Sequence, residues 1–156
     1  MAIGNVVAAR AAASYPVGGS PLYVAWGTYN IAAATANADT IKFCRLPAGA
    51  TVVDGRLYGQ DIDSGTETWD MDIGWAANGD EIADTDGFGN FGVISGDAVD
   101  GGEVGVERQF GGVLRSAGPK TFTRETDIVG TVNAAANSGG TGRVTCVVYY
   151  TRNDNP

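Results

Sequence analysis

A chain of 156 residues and 16.0 kDa fits one domain with a core of its own. Its 24 glycines argue against a helical bundle, because glycine costs roughly 1 kcal/mol against alanine inside a helix and suits turn-dense β architecture. Ten basic against 18 acidic residues leave a net charge of −8, which disfavours nucleic acid and anionic membrane as partners, and the absence of histidine removes Ser-His-Asp and Cys-His catalysis and every His-ligated zinc site.

Residues 1–19 are small, mostly Ala, Gly and Val, and Pro16, Gly18, Gly19 and Pro21 break the chain before the first strand-like run. They read as an extended N-terminal arm with a short helix near residues 6–13, too sparse to bury much surface unless docked elsewhere. Ile3, Val6, Val7, Arg10 and Tyr15 are its candidate partner-binding side chains. Arg10 comes after the apolar stretch instead of before it, so the segment is expected in the mature chain and not as a signal peptide. No apolar run approaches the roughly 20 residues needed to cross a bilayer as a helix, and no membrane partner is expected.

Residues 20–156 read as the folded domain. Leu22, Val24 and Trp26 alternate with Tyr23, Ala25 and Gly27, the period of a strand. Residues 40–46 form a second run, with Ile41 and Phe43 on one face and Lys42 and Cys44 on the other. A Pro47-Ala-Gly49 turn leads to a third strand over 50–59. In the run 66–75, Trp69, Met71, Ile73 and Trp75 share one face and Thr68, Asp70 and Asp72 the other, an arrangement that only a strand sets against one core. Residues 76–102, dense in Gly, Asp and Asn, are expected as a long packed excursion pinned by Phe88 and Phe91, with a helical turn near 80–84. Strand character returns at 104–110, 112–114, 121–123 and 126–133. The last run, 142–152, sets Val144, Cys146, Val148 and Tyr150 against Arg143, Thr145, Val147 and Tyr149. About eight strands without a long helix predict an all-β antiparallel sandwich, jelly-roll-like, with an immunoglobulin-like sandwich second. Cys44 and Cys146, each inside a strand, are expected as buried free thiols, with a disulfide between strands as the alternative.

Several strings invite a chemical reading. Gly87-Phe-Gly89-Asn-Phe-Gly92 has the letters of a dinucleotide loop, but Asp84 and Asp86 before it repel phosphate and no helix opens after it. Asp61-Ile-Asp63-Ser-Gly65-Thr-Glu67 offers alternate carboxylates, yet glycine falls at position five and Asp72 at twelve, so a solvated turn is favoured over a structural calcium ion. Asn78, Asp80, Asp84 and Asp86 make a second loose acidic cluster. Asp70 and Asp72, roughly 6.5–7 Å apart on one strand face, have the spacing of inverting glycosidases, but Trp69 and Trp75 point away and give no sugar platform. No catalytic, cofactor or metal site is assigned.

Leu46-Pro-Ala-Gly-Ala-Thr-Val-Val-Asp-Gly-Arg-Leu57, then Asp61-Ile-Asp-Ser-Gly-Thr66 into the Trp69–Trp75 strand, resembles small virion proteins of tailed bacteriophages. The C-terminal phrases Thr126-Asp-Ile-Val-Gly-Thr-Val-Asn133 and Gly142-Arg-Val-Thr-Cys-Val-Val-Tyr-Tyr150 are similar in style. The resemblance spans roughly residues 40–75 and 120–151. It implies a structural protein on the virion surface, made in the host cytoplasm: a capsid decoration or cement protein, often trimeric, bound to the major capsid protein. The other expectation is a receptor- or glycan-binding module that uses Phe88 and Phe91 of the 76–102 segment.

Overall fold

A computed structural model of the chain describes residues 21–31, 36–60, 62, 63, 66, 68–94, 105–137 and 141–152. Among the described residues, nine strands and one short helix occur in chain order: β1 (Leu22–Ile31), β2 (Thr40–Leu46), β3 (Ala50–Gly59), β4 (Asp70–Trp75), β5 (Asp84–Val93), β6 (Val106–Gln109), α1 (Val113–Ser116), β7 (Lys120–Thr121), β8 (Thr126–Ala134) and β9 (Gly142–Arg152). They form two antiparallel sheets packed as a sandwich. Sheet A runs β1-β9-β3-β6, with β7 also pairing β3, and sheet B runs β2-β8-β4-β5. The β4–β5 connection stays within sheet B and β6–β7 within sheet A, whereas β1 to β2, β2 to β3, β3 to β4, β5 to β6, β7 to β8 and β8 to β9 each change sheets.

Period-two patterning builds the interior. Trp69, Met71, Ile73 and Trp75 are all buried and face β8 through the register Met71↔Val132, Ile73↔Gly130 and Trp75↔Ile128, while Asp70 and Asp72 point outward. Val144, Cys146 and Val148 of β9 close the core from sheet A. At one end the two layers meet through aromatic rings. Trp75 contacts Phe88 and Phe122 edge-on at 5.2 and 5.5 Å between centroids, and Phe88 stacks on Phe110 at 5.0 Å. Gly87 makes this cluster fit, since a Cβ there would lie 2.2 Å from the Trp75 ring.

Five expectations change. The strand expected over 66–75 begins only at Asp70, with Trp69 buried just ahead of it. Residues 84–93 of the expected excursion are a full edge strand: its glycines and aspartates hide the alternation, but its backbone pairs with β4. The expected turn of helix near 80–84 is a bend closed by the Asn78 side chain, whose Oδ1 accepts from Asp80 N at 3.0 Å and Glu81 N at 2.8 Å. Residues 113–116, in part expected as strand, form α1 after Gly112 turns the chain at φ 49°. On β2, a bulge between Lys42 and Cys44 carries Cys44 back toward the core, opposite Ile128 and on the side of Phe43, not of Lys42.

Candidate functional site

The chemistry-bearing residues do not converge. Among the described residues, no three acidic or cysteine side chains come together to hold a metal ion. Asp63 is buried, and its Oδ2 accepts from Thr68 N and Thr68 Oγ1, both at 2.8 Å, and from Asn137 N at 3.0 Å, which ties the segment before β4 to the end of β8. Asp61, Ser64, Gly65 and Glu67 lie outside the described residues. Of the second acidic cluster, Asp80 pairs with Arg124 at 2.8 Å and accepts from Thr123 Oγ1 at 2.9 Å, and the Arg124 hydrogen bond lowers its carboxyl pKa. Burial, then Asp86 beside it, raises that of Asp84.

Asp70 and Asp72 share the outward face of β4, but Asp72 is only 6% exposed. Burial raises its pKa, with Asp70 and Asp86 adding smaller pushes. Its Oδ1 and the Oγ1 of Thr131, directly opposite on β8, are both buried without a hydrogen-bond partner. Trp69 and Trp75 lie in the core on the other side of the strand and offer no platform for a sugar. A shallow cavity of about 320 Å³ is lined by Val53, Asp54, Gln109, Phe110, Leu114 and Arg115, with no carboxylate pair in it. Cys146 is buried and Cys44 half-buried, and they are not bonded to each other. Burial, helped by the charge of Asp127, pushes the Cys44 thiol up to about 12, and burial raises Cys146 well above the ordinary thiol range.

The sequence-predicted contact residues divide. Ile3, Val6, Val7, Arg10 and Tyr15 lie outside the described residues. Phe88 is fully buried in the aromatic cluster and is unavailable to a partner, which corrects the expectation for it. The cause is register: Phe88 points inward from β5 and the layer above it is closed by Phe110. Phe91 is half-buried and stacks loosely on Phe110 at 6.3 Å. The literal G-x-G-x-x-G lies within β5, so its glycines form strand instead of the turn into a helix N-terminus that holds a phosphate.

What sequence reasoning missed is a surface. Leu22, Val24 and Trp26 point out of sheet A and are 59, 52 and 66% exposed. Their cross-strand partners on β9 are Thr151, Tyr149 and Val147, so this end of the face carries no charge, and Arg143, opposite Asn30 at the far end of β1, is an exposed cation on it. Across β3 the same face becomes ionic: Arg56 reaches Glu107 at 2.6 Å and Asp54 at 3.8 Å. The outer face of sheet B is ionic as well. Asp127 of β8 binds Arg45 at 2.6 Å and Lys42 at 2.9 Å, and these two cations bring its carboxyl down to about 2. The signal for the missed surface is present in β1, where neither alternating set contains a charged residue.

These features define an all-β protein of two packed antiparallel sheets whose prominent outward feature, among the described residues, is a surface. The fold is shared with chains of phage particles. It matches a chain of the cyanophage Pam1 capsid asymmetric unit with a TM-score of 0.65 and 24% identity, over 98% of this chain and 100% of that one. It matches a chain of the capsid of Ralstonia phage GP4 with a TM-score of 0.65 and 17% identity, over 91% of each. A chain of the acidic stable capsid of Helicobacter pylori bacteriophage KHP30 matches with a TM-score of 0.52 and 22% identity, over 83% of this chain and 86% of that one. No protein-family model matches the sequence, and no curated protein matches it.

Proposed function

We propose that this chain is a structural component of a bacteriophage virion, a decoration or cement protein that binds the shell of major capsid protein and cross-links its subunits without catalysis. The observation that carries the reading is the likeness in fold, along nearly the whole chain, to a chain of the Pam1 capsid asymmetric unit. The wrapping order β1-β9-β3-β6 over β2-β8-β4-β5 supports a jelly roll, an architecture common in capsid proteins. Residues 1–19 are the segment that contacts the shell, with Ile3, Val6, Val7 and Tyr15 as apolar contacts and Arg10 as its charge. Binding by apolar burial and strand-edge pairing holds neighbouring shell subunits together against internal DNA pressure. The protein then resides on the capsid surface after synthesis in the host cytoplasm, as a homo-oligomer for which a trimer suits a three-fold junction of the shell.

The test is reconstitution. Purified protein added to capsids that lack it is expected to bind at saturable stoichiometry and to raise the temperature at which the particles release DNA. Removal of residues 1–19 is expected to abolish incorporation while the far-ultraviolet circular dichroism stays β-type. Capsids that neither bind the protein nor gain stability would end the reading. The glycan-binding alternative loses its main carrier, because Phe88 is in the core.

A further inference from the structure

A two-sheet sandwich has free strand edges, and exposed edges are normally blunted by short strands, charges, proline or bulges, because an open edge pairs with other chains. Among the described residues β6, β2 and β5 lie at sheet edges and obey that rule. β6 is four residues long and carries Glu107 and Arg108. β2 carries Lys42 and Arg45 and a bulge. β5 carries Asp84 and Asp86 and slips register twice against β4. β1 does none of this. It pairs with β9 through ten consecutive residues without a register shift, and Leu-Tyr-Val-Ala-Trp-Gly-Thr-Tyr-Asn-Ile holds no charge and no proline.

The strand is also held firmly from within, so its edge is a fixed template. A Cβ at Gly27 would lie 1.9 Å from the carbonyl oxygen of Phe43, which shows how tightly β1 lies against β2. Tyr23 stacks on Tyr150 at 5.4 Å, and Thr28 and Thr145 share a hydrogen bond of 2.9 Å.

We infer that the β1 edge and its outward face, centred on Leu22, Val24 and Trp26, dock against a second copy of this chain. Charge selects that occupant. Two copies each of net charge −8 repel over most of their surfaces, and the outward positions of β1 and β9 are where they can meet without opposing carboxylates. A basic partner would be recognised by acidic groups, and this face presents none. Size agrees too. The strand is about 33 Å long at about 3.3 Å per residue. Trp26 alone leaves two-thirds of its surface in water, from a residue class that buries about 150–250 Å². In a closed homo-oligomer every copy buries the same patch, so a single substitution acts on all contacts at once. The inference deepens the homo-oligomer of the decoration reading by naming its interface, and it is tested on the free protein.

Sedimentation velocity on the full chain at increasing concentration tests it. The wild type is expected to shift to a larger species, and Trp26→Glu and Val24→Lys to stay monomeric. Ile82→Glu, at an exposed apolar side chain remote in sequence from β1, is expected to assemble as the wild type does. Because Trp69 and Trp75 are already buried, a blue shift of tryptophan emission on association reports Trp26, and Trp26→Phe is expected to abolish it. A wild type that is monomeric throughout, or a Trp26→Glu variant that assembles normally, overturns the inference. So does a variant that still self-associates but no longer binds capsids, since the face then takes the shell. Self-association with no capsid binding by the wild type would instead retain this inference and remove the decoration reading.

Discussion

β1 and β5 are both ten-residue edge strands, one in each sheet, and they are treated in opposite ways. β5 turns its large aromatic, Phe88, into the core and faces its open side with aspartates, glycines and two register slips. β1 puts its large aromatic, Trp26, into water and keeps a straight, uncharged edge. The contrast shows that edge position alone does not make an interface. β5 carries the devices that stop pairing, whereas β1 lacks them and adds apolar area beside the open edge.

The largest effect is expected where β5 serves the core. Phe88→Ala removes the ring that contacts Trp75, Phe110 and Phe122, and should lower stability by about 3–5 kcal/mol, measured by urea denaturation. A small change in midpoint would mean that β5 is not a core strand. Next comes Gly27→Ala. The added methyl meets the Phe43 carbonyl and should cost about 1–3 kcal/mol, with faster amide exchange along β1. If the midpoint and exchange match the wild type, β1 is not seated tightly on β2, and its edge is not a fixed template.

Much of this arrangement is legible in the sequence, and the misreadings have a common cause. The bounds of β2, β3 and β9 are those expected from alternation and turn residues, and the inward set Trp69, Met71, Ile73 and Trp75 is as expected, because the opposite positions Asp70 and Asp72 fix which face is out. β1 has no such marker. Alternation says that Leu22, Val24 and Trp26 share a face, but with Tyr23, Ala25 and Gly27 equally uncharged it does not say which set is inside. The deciding contact is Gly27 against Phe43, a tertiary approach that no local pattern encodes. Phe88 fails for the reverse reason: small and acidic neighbours make it look like a loop anchor, and its burial depends on Trp75, Phe110 and Phe122, distant in sequence. The Cys44 misplacement comes from a single bulge, which inverts the face of every later residue on the strand.

The ionic face of sheet B offers a smaller effect with a defined pH dependence. The folded pKa of Asp127, about 2, lies below its ordinary value of 3.8. The carboxylate therefore contributes stability that is fully present above pH ~4 and lost as pH falls through about 2. Lys42 and Arg45 are both more than 60% exposed, so solvent screening reduces the contribution to about 1 kcal/mol or less. Asp127→Asn should lose that amount at neutral pH, and its unfolding curve should converge on the wild type near pH 2. A deficit that persists unchanged at that pH would trace the loss to packing instead of charge.

The smallest effect on the isolated fold is expected at the most conspicuous residue of β1. Trp26 is two-thirds exposed, so Trp26→Ser should change the stability of the monomer by no more than about 0.5 kcal/mol in dilute solution. The informative quantity is its dependence on concentration. Association that buries Trp26 stabilises the folded state by mass action, so the wild-type midpoint should rise as protein is added, while that of Trp26→Ser stays flat. If both stay flat, the exposed face of β1 is simply tolerated by the fold. If Trp26→Ser destabilises the dilute monomer strongly, the ring is packed against the chain's own residues, and the difference between β1 and β5 is one of degree.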